Sequence, residues 1–325
     1  MKIEKTNHYS YRGDSETSIL EAALTSGLVF PYSCKNGRCG ICKTTLLRGE
    51  VLELQEQVAL SLEEKDAHKI LTCCCAPKSD ISIDAEDLSA LHGIPIKTLP
   101  TRISGIKKHT DEILEVTLRL PPSATFDFLE GQYIDVMWNN YRRSYSIAST
   151  SRQKEITLLI RRVENGVMSD YWFCKAKEND LLRLEGPKGT FFFRGGSRDV
   201  VFLATGTGIA PIISILNKLD ASMSGEQSRK VSVYWGNRDA EDFFWRPKFE
   251  KLQINFFPIC SKPNREWVGG VGYVQDVALS HQSDMAACDV YACGSNEMIQ
   301  SAQEKFIKNG LPENRFYSDA FVQSY

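Results

Sequence analysis

Four cysteines near the start of the chain limit its fold more than any other feature. Cys34, Cys39 and Cys42 in PYSCKNGRCGICK stand at C-x₄-C-x₂-C, and thirty residues later the run ILTCCCAP brings Cys73, Cys74 and Cys75. A chain that gathers distant thiols must curve tightly between them, and Gly37 and Gly40 supply curvature where a Cβ would resist it. The spacing, with a distant fourth cysteine, is that of four thiolates around a [2Fe–2S] cluster. Zinc is the competing reading, because Cys39-x-x-Cys42 and the later run could supply four sulfurs, yet zinc does not account for the x₄ interval. A disulfide is weaker still, since nothing else in the chain has the character of a secreted protein. Spacing alone leaves Cys73, Cys74 and Cys75 open as the fourth donor.

At 325 residues the chain exceeds the size at which one core keeps growing, so two or three domains are expected, and three fits best. A hydrophobic content of 42% and a charged content of 25% are ordinary for a globular protein, and no apolar run approaches a membrane span. The opening MKIEKTNHYSYRGD lacks the apolar core of a secretory signal, and ten cysteines suit a reducing compartment, so the cytoplasm is the expected location. A net charge of −2 without a basic block argues against nucleic acid as a partner.

Three segments follow one another. In residues 1–90, SETSILEAALTSG spaces Ile19, Leu20, Ala23 and Leu24 as one face of a helix that exits at Gly27. Strands are expected at TTLLRGEVLEL and DISIDAE, with a polar helix at SLEEKDAHK between them. Pro95 and Pro100 mark residues 91–100 as a linker. Residues 101–197 alternate through ISGIKKHTDEILEVTLRL, GQYIDVMW, EITLLIRRV and DLLRLEGPKGTFFF, the spacing of an antiparallel β-barrel. From 198 to 325 the pattern changes: the apolar strand Val200–Ala204 runs into a glycine turn and an apolar helix, which opens a parallel-sheet α/β domain. KVSVYWG, INFFPIC and DVYACG are its further strands. The expected fold is thus multidomain, α+β followed by α/β.

Residues suited to chemistry recur along the last two segments. Gly206-Thr207-Gly208-Ile209-Ala210-Pro211 follows a strand, where glycines let the backbone approach a phosphate and the helix N-terminus offers unpaired N–H groups. Pro211 is tolerated because first-turn amides have no partner inside the helix. Arg142-Arg143-Ser144-Tyr145-Ser146 precedes Gly166-Val167-Met168-Ser169, and Tyr291-Ala292-Cys293-Gly294 leaves a late strand. In this order R-x-Y-S, G-x-x-S and G-T-G-x-A-P resemble the motifs of the ferredoxin-NADP reductase family, and residues 1–90 resemble a β-grasp ferredoxin. The likeness covers essentially the whole chain and matches single-chain iron–sulfur flavoprotein reductases.

That resemblance implies specific roles. Leu71-Thr72-Cys73 matches the ferredoxin tripeptide carrying the last ligand, so Cys34, Cys39, Cys42 and Cys73 would hold the cluster. Arg143 would pair with the FAD pyrophosphate, a task suited to a planar guanidinium. Tyr145 would lie against the isoalloxazine and Ser146 would bond its N5. Leu159, Ile160 and Arg161 would line the flavin, Gly166 to Ser169 with Val167 and Met168 would meet the phosphates, and Asp319 and Phe321 in FYSDAFV would stand nearby. Gly206, Thr207, Gly208, Pro211, Gly236, Asn237, Arg238, Cys293 and Gly294 would bind the pyridine nucleotide. Cys293 would sit next to the nicotinamide, making it a catalytic candidate with Ser146 and Asp319, although many relatives carry glutamate at the last position.

In the stretch Tyr234 to Asp239, Asp239 favours a free ribose 2′-hydroxyl whereas Arg238 would accommodate a 2′-phosphate. The family likeness favours NADH over NADPH. Runs such as ILTCCCAPKSDI, RRSYSIA and EGPKGTFF resemble the branch that feeds a pyridoxamine-phosphate dehydrase of CDP-sugars in 3,6-dideoxysugar and O-antigen synthesis. A reductase component of an aromatic, phenol or methane oxygenase is the alternative, and a stand-alone diaphorase or redox sensor is another. Residues 1–88 hold ten Lys and Arg against fourteen Asp and Glu, yet Lys35, Arg38 and Lys43 crowd the cysteine loop. A basic collar for an acidic partner and plain solvated loop charge are equally open readings there.

Overall fold

The computed structural model describes residues 1–5, 10–225, 227, 229–282 and 284–321. It divides into two compact units, Met1–Ile94 and Pro95–Phe321.

The first unit is a five-stranded mixed sheet in the spatial order Ser10–Arg12, Lys2–Lys5, Ile81–Asp84, Lys43–Arg48 and Lys69–Leu71. Only the pair Lys2–Lys5 and Ile81–Asp84 is parallel. The helix expected at SETSILEAALTSG spans Ile19–Thr25, where the Glu21 N–H donates to the Ser18 hydroxyl at 3.2 Å and caps the first turn. Its apolar face buries Ile19, Leu20, Ala22 and Ala23 in a core shared with Ile3, Phe30, Leu71 and Ile83. A second, short helix, Leu62–Asp66, begins with a reciprocal cap between Ser61 and Glu64. This is the β-grasp arrangement.

In the second unit six antiparallel strands lie in the order Tyr141–Ser146, Tyr133–Trp138, Leu181–Lys188, Lys97–Thr110, Ile113–Arg119 and Glu155–Arg161. A bridge between Ile147 and Leu158 joins the two end strands and closes the sheet into a barrel. Alternate residues, among them Ile103, Val116, Leu118, Ile134, Val136, Leu158 and Leu184, fill it. A six-stranded parallel sheet follows, ordered Gly270–Val271, Asn255–Cys260, Val231–Asn237, Asp199–Thr205, Cys288–Ser295 and Phe316–Phe321. Chain order reverses between Asp199–Thr205 and Cys288–Ser295, and ligands of such sheets bind at the carboxyl end of that switch.

One expected boundary shifts. The linker over 91–100 becomes strand at Lys97, and Pro100 is tolerated because this stretch pairs only with Leu181–Lys188; pairing on the other side begins at Arg102. The barrel and the α/β segment share an apolar core. Ala148, Leu159 and Phe191 of the barrel share one apolar cluster with Ala204, Ile209, Ile212 and Ile215, so burial welds them together. No helix among the described residues is long and apolar enough to cross a membrane.

Candidate functional site

In the first unit, sheet register delivers the cysteines to one another. Lys43 lies opposite Leu71, and the Thr72 N–H donates to the Cys42 carbonyl at 3.1 Å, which sets Cys73 beside Cys42. The four thiols form two pairs. Cys39 donates to Cys34, and Cys42 donates to Cys73 at 3.3 Å between sulfurs. In each pair the accepting sulfur is held down by the bond it receives, Cys34 to about 5 and Cys73 to about 7. Cys39 and Cys42 are driven up by the same bonds and by burial.

Among the described residues no three His, Cys, Asp or Glu side chains are gathered closely enough to hold a single metal ion. Two thiol pairs are the donor set for two irons bearing two terminal thiolates each, so the residues fit a [2Fe–2S] cluster. Cys75 lies in the strand Cys75–Pro77 with its thiol pushed up to about 12 by burial. Gly37 has φ +76°, and a Cβ there would stand 2.4 Å from the Glu56 carbonyl oxygen and 2.7 Å from Cys74 Sγ. Gln55, which sequence reading overlooked, donates to the carbonyls of Cys73 and Lys35 at 2.9 and 3.2 Å, tying the fourth cysteine to the loop. A glutamine leaves no motif to find it by.

Two of the three basic residues of the cysteine loop have acidic neighbours. Lys35 pairs with Glu21 at 3.8 Å and lies over the Tyr32 ring, and Lys43 pairs with Glu64. Arg38 is exposed and makes no ion pair among the described residues.

In the second unit the strand Tyr141–Ser146 carries the R-x-Y-S motif on a pinned support. Arg142 grips Glu185 with both terminal nitrogens, at 2.8 and 3.1 Å, while Lys188 reaches Asp135 at 2.6 Å. Arg143 is exposed, and among the described residues its guanidinium bonds only the Arg142 carbonyl, at 2.7 Å. The Tyr145 hydroxyl accepts a bond from Trp172 Nε1 at 2.8 Å, and burial pushes it up to about 12. Trp172, on a single π-helical turn, was not foreseen.

Ser146 is 5% exposed, and its hydroxyl makes no hydrogen bond. Such an orphaned buried hydroxyl is expected where a bound group supplies the partner. An uncommitted Arg143, a rigid Tyr145 and this hydroxyl therefore fit a flavin dinucleotide. Gly166 precedes the turn Val167–Asp170, in which Met168 is buried, Val167 is exposed, and Ser169 Oγ accepts from the Val163 N–H at 2.7 Å. Leu159 and Ile160 commit their side chains to apolar clusters and pair in the strand ladder opposite Glu115 and Leu114.

Arg161 is turned toward the nucleotide side. It pairs with Asp242 at 3.2 Å, and its Nη1 lies 3.2 Å from where a Gly206 Cβ would be. Gly206, Thr207 and Gly208 form a 3-10 turn at the switch point, leading into the helix Ile209–Ser222 with Pro211 in its first turn. A Cβ on Gly208 would stand 2.3 Å from the Cys293 carbonyl oxygen. Gly294, at φ +144°, would place one 2.0 Å from Thr205 Oγ1, which accepts from the Ser295 N–H at 3.0 Å. Thr205 is a further unforeseen residue. Such main-chain packing makes the shallow cradle a pyrophosphate needs.

Gly236 and Asn237 end a neighbouring strand, and Asn237 Oδ1 is buried without a partner. Arg238 is exposed beyond it. Cys293 is wholly buried, its thiol raised by burial and by the charge of Asp319, its neighbour on the next strand. Phe321 ends that strand, and its side chain lies outside the described residues.

Three family models match successive parts of the chain. Residues 4–78 match the 2Fe-2S iron-sulfur cluster binding domain, 101–193 the oxidoreductase FAD-binding domain and 202–304 the oxidoreductase NAD-binding domain. The chain is 41% identical over 321 residues to the CDP-6-deoxy-L-threo-D-glycero-4-hexulose-3-dehydrase reductase of Yersinia pestis, covering 97% of this chain and 96% of that one. It is 30% identical to the reductase component of propane 2-monooxygenase from Mycolicibacterium smegmatis, covering 94% and 92%. The cytochrome P450 reductase of Amycolatopsis superposes with a TM-score of 0.76 at 25% identity, covering 99% of both chains.

The chain belongs to the iron–sulfur flavoprotein reductases, in which a 2Fe-2S domain precedes FAD- and NAD-binding oxidoreductase domains. It is an oxidoreductase that passes electrons from a pyridine nucleotide through FAD to a [2Fe–2S] cluster.

Proposed function

We propose that the donor is NADH and that the acceptor is a pyridoxamine-phosphate dehydrase acting on a CDP-6-deoxy-4-hexulose, in 3,6-dideoxysugar and O-antigen synthesis in the cytoplasm. The carrying observation is the 41% identity, over 97% of the chain, to a reductase named for such a dehydrase, against 30% for an oxygenase component. An oxygenase component remains the second reading on that 30%.

The cofactors supply the chemistry: FAD takes a hydride's two electrons and the cluster takes one at a time. The chain binds and orients. Arg143 holds the flavin pyrophosphate, and Tyr145, fixed by Trp172, packs on the ring. Ser146 donates its unpartnered hydroxyl at the flavin edge. The 206–208 turn takes the nicotinamide dinucleotide's pyrophosphate on main-chain N–H groups, with Gly236, Asn237 and Arg238 toward the ribose. Cys293, kept as a neutral thiol, and its neighbour Asp319 would line the nicotinamide side of the site. Cys34, Cys39, Cys42 and Cys73 hold the cluster from which electrons leave.

The test is anaerobic reduction with NADH or NADPH, followed by mixing with the dehydrase and its CDP-sugar beside an oxygenase component and its substrate. Deoxygenated sugar formed with NADH, and no oxygenase product, is the expected result. Product in the oxygenase arm alone would overturn the assignment.

A further inference from the structure

Cys74 stands outside the four-cysteine set, yet its sulfur lies directly beside it. Its Sγ lies 3.6 Å from Cys73 Sγ and 3.8 Å from the carbonyl oxygen of Glu56. The residue is 0% exposed, so no solvent competes for the thiol proton. Room for the sulfur exists because residue 37 is glycine, whose Cβ would otherwise press to 2.7 Å.

The main chain of Cys74 is held on both sides. Its N–H donates to Leu71 at 2.9 Å, and its carbonyl accepts from Leu54 at 2.8 Å and Gln55 at 3.4 Å. A residue so fixed is not free to swing its sulfur into the place of Cys73. Cys75, paired with Glu53 in the next strand, makes no sulfur contact of this kind.

We infer that the Cys74 thiol donates a hydrogen bond to the Cys73 sulfur and thereby sets the potential at which the cluster accepts an electron. The inference rests on Cys73 being the fourth ligand. Two thiols at this distance could share a proton in either sense, but a cysteine bound to iron has none to give. The only proton left in the pair belongs to Cys74. Of its two acceptors, a ligand sulfur carrying negative charge is favoured over a neutral carbonyl at greater distance. A donor at a ligand sulfur draws charge away from the irons and stabilises the reduced, more negative cluster, which raises its potential.

The test is a mediated redox titration of the full-length protein, following the reduced-cluster EPR signal together with iron and sulfide content. Cys74→Ala should keep its full cluster but reduce at a more negative potential. Cys74→Ser, which retains a proton, should fall between it and the parent. In D₂O the iron–thiolate Raman bands of the parent should shift more than those of Cys74→Ala. An unchanged midpoint in Cys74→Ala, or equal deuterium shifts, would overturn the inference; so would loss of its cluster, which would assign Cys74 to holding iron. Cys73→Ser separates the two readings. If it keeps a normal cluster the ligand assignment fails, whereas if it loses the cluster while Cys74→Ala titrates like the parent, only the hydrogen bond fails.

Discussion

Ser146 illustrates how a residue reveals a missing partner. Its hydroxyl is buried with no hydrogen bond, a state that costs roughly 1–3 kcal/mol unless a ligand relieves it. Ser146→Ala should leave FAD content intact while slowing NADH-driven flavin bleaching by about 10- to 100-fold, the effect of removing one hydrogen bond that strengthens as charge develops. Stopped-flow absorbance reads this directly, and an unchanged rate would remove Ser146 from the chemistry. Gly37 is constrained differently. A Cβ would collide with the Glu56 carbonyl oxygen at 2.4 Å in a backbone already at φ +76°. Gly37→Ala should therefore yield protein short of iron and sulfide, with flavin content unchanged. Cys34, Cys39, Cys42 and R-x-Y-S were legible because such chemistry needs those residue types at close intervals. Gln55, Trp172 and Thr205 were not, since each acts through a contact with a distant partner and could stand anywhere in a soluble protein.

At the scale of elements, the strand Tyr141–Ser146 is useful only if its register holds, and a charge cluster secures it. Arg142, then Lys188, hold the Glu185 carboxyl down to about 2 from an ordinary 4.5. A depressed carboxyl stabilises the fold above its unfolded value and loses that contribution as pH falls through the folded one. Glu185→Gln should thus cost on the order of 2 kcal/mol at pH 7, with the difference from the parent closing between about pH 4.5 and 2. Denaturant titrations across that range check it, and a pH-independent gap would refute the cause. Strand positions in both units were legible from alternation. What sequence did not show was how elements join: the Ile147–Leu158 closure, the strand starting at Lys97 and the Arg161–Asp242 pair all depend on long-range approach. The acidic neighbours of the loop lysines were hidden for the same reason, because Glu21 and Glu64 reach Lys35 and Lys43 only in the fold.

Across the whole molecule, three cofactor-binding segments occupy two compact units, with flavin and nucleotide residues together in Pro95–Phe321 and the cluster cysteines in Met1–Ile94. The shared core of barrel and parallel sheet suits hydride transfer, which demands fixed contact between its partners. Electron transfer to and from a cluster does not require bonding contact, so a separate unit can serve as the exit. The order of carriers runs from nucleotide to flavin to cluster. Anaerobic rapid mixing with NADH, following flavin absorbance and the cluster EPR signal separately, tests it most directly. The prediction is that the flavin bleaches first, the cluster signal follows, and Cys73→Ser keeps the first phase but lacks the second. A cluster reduced before the flavin, or reduced in protein stripped of FAD, would contradict it.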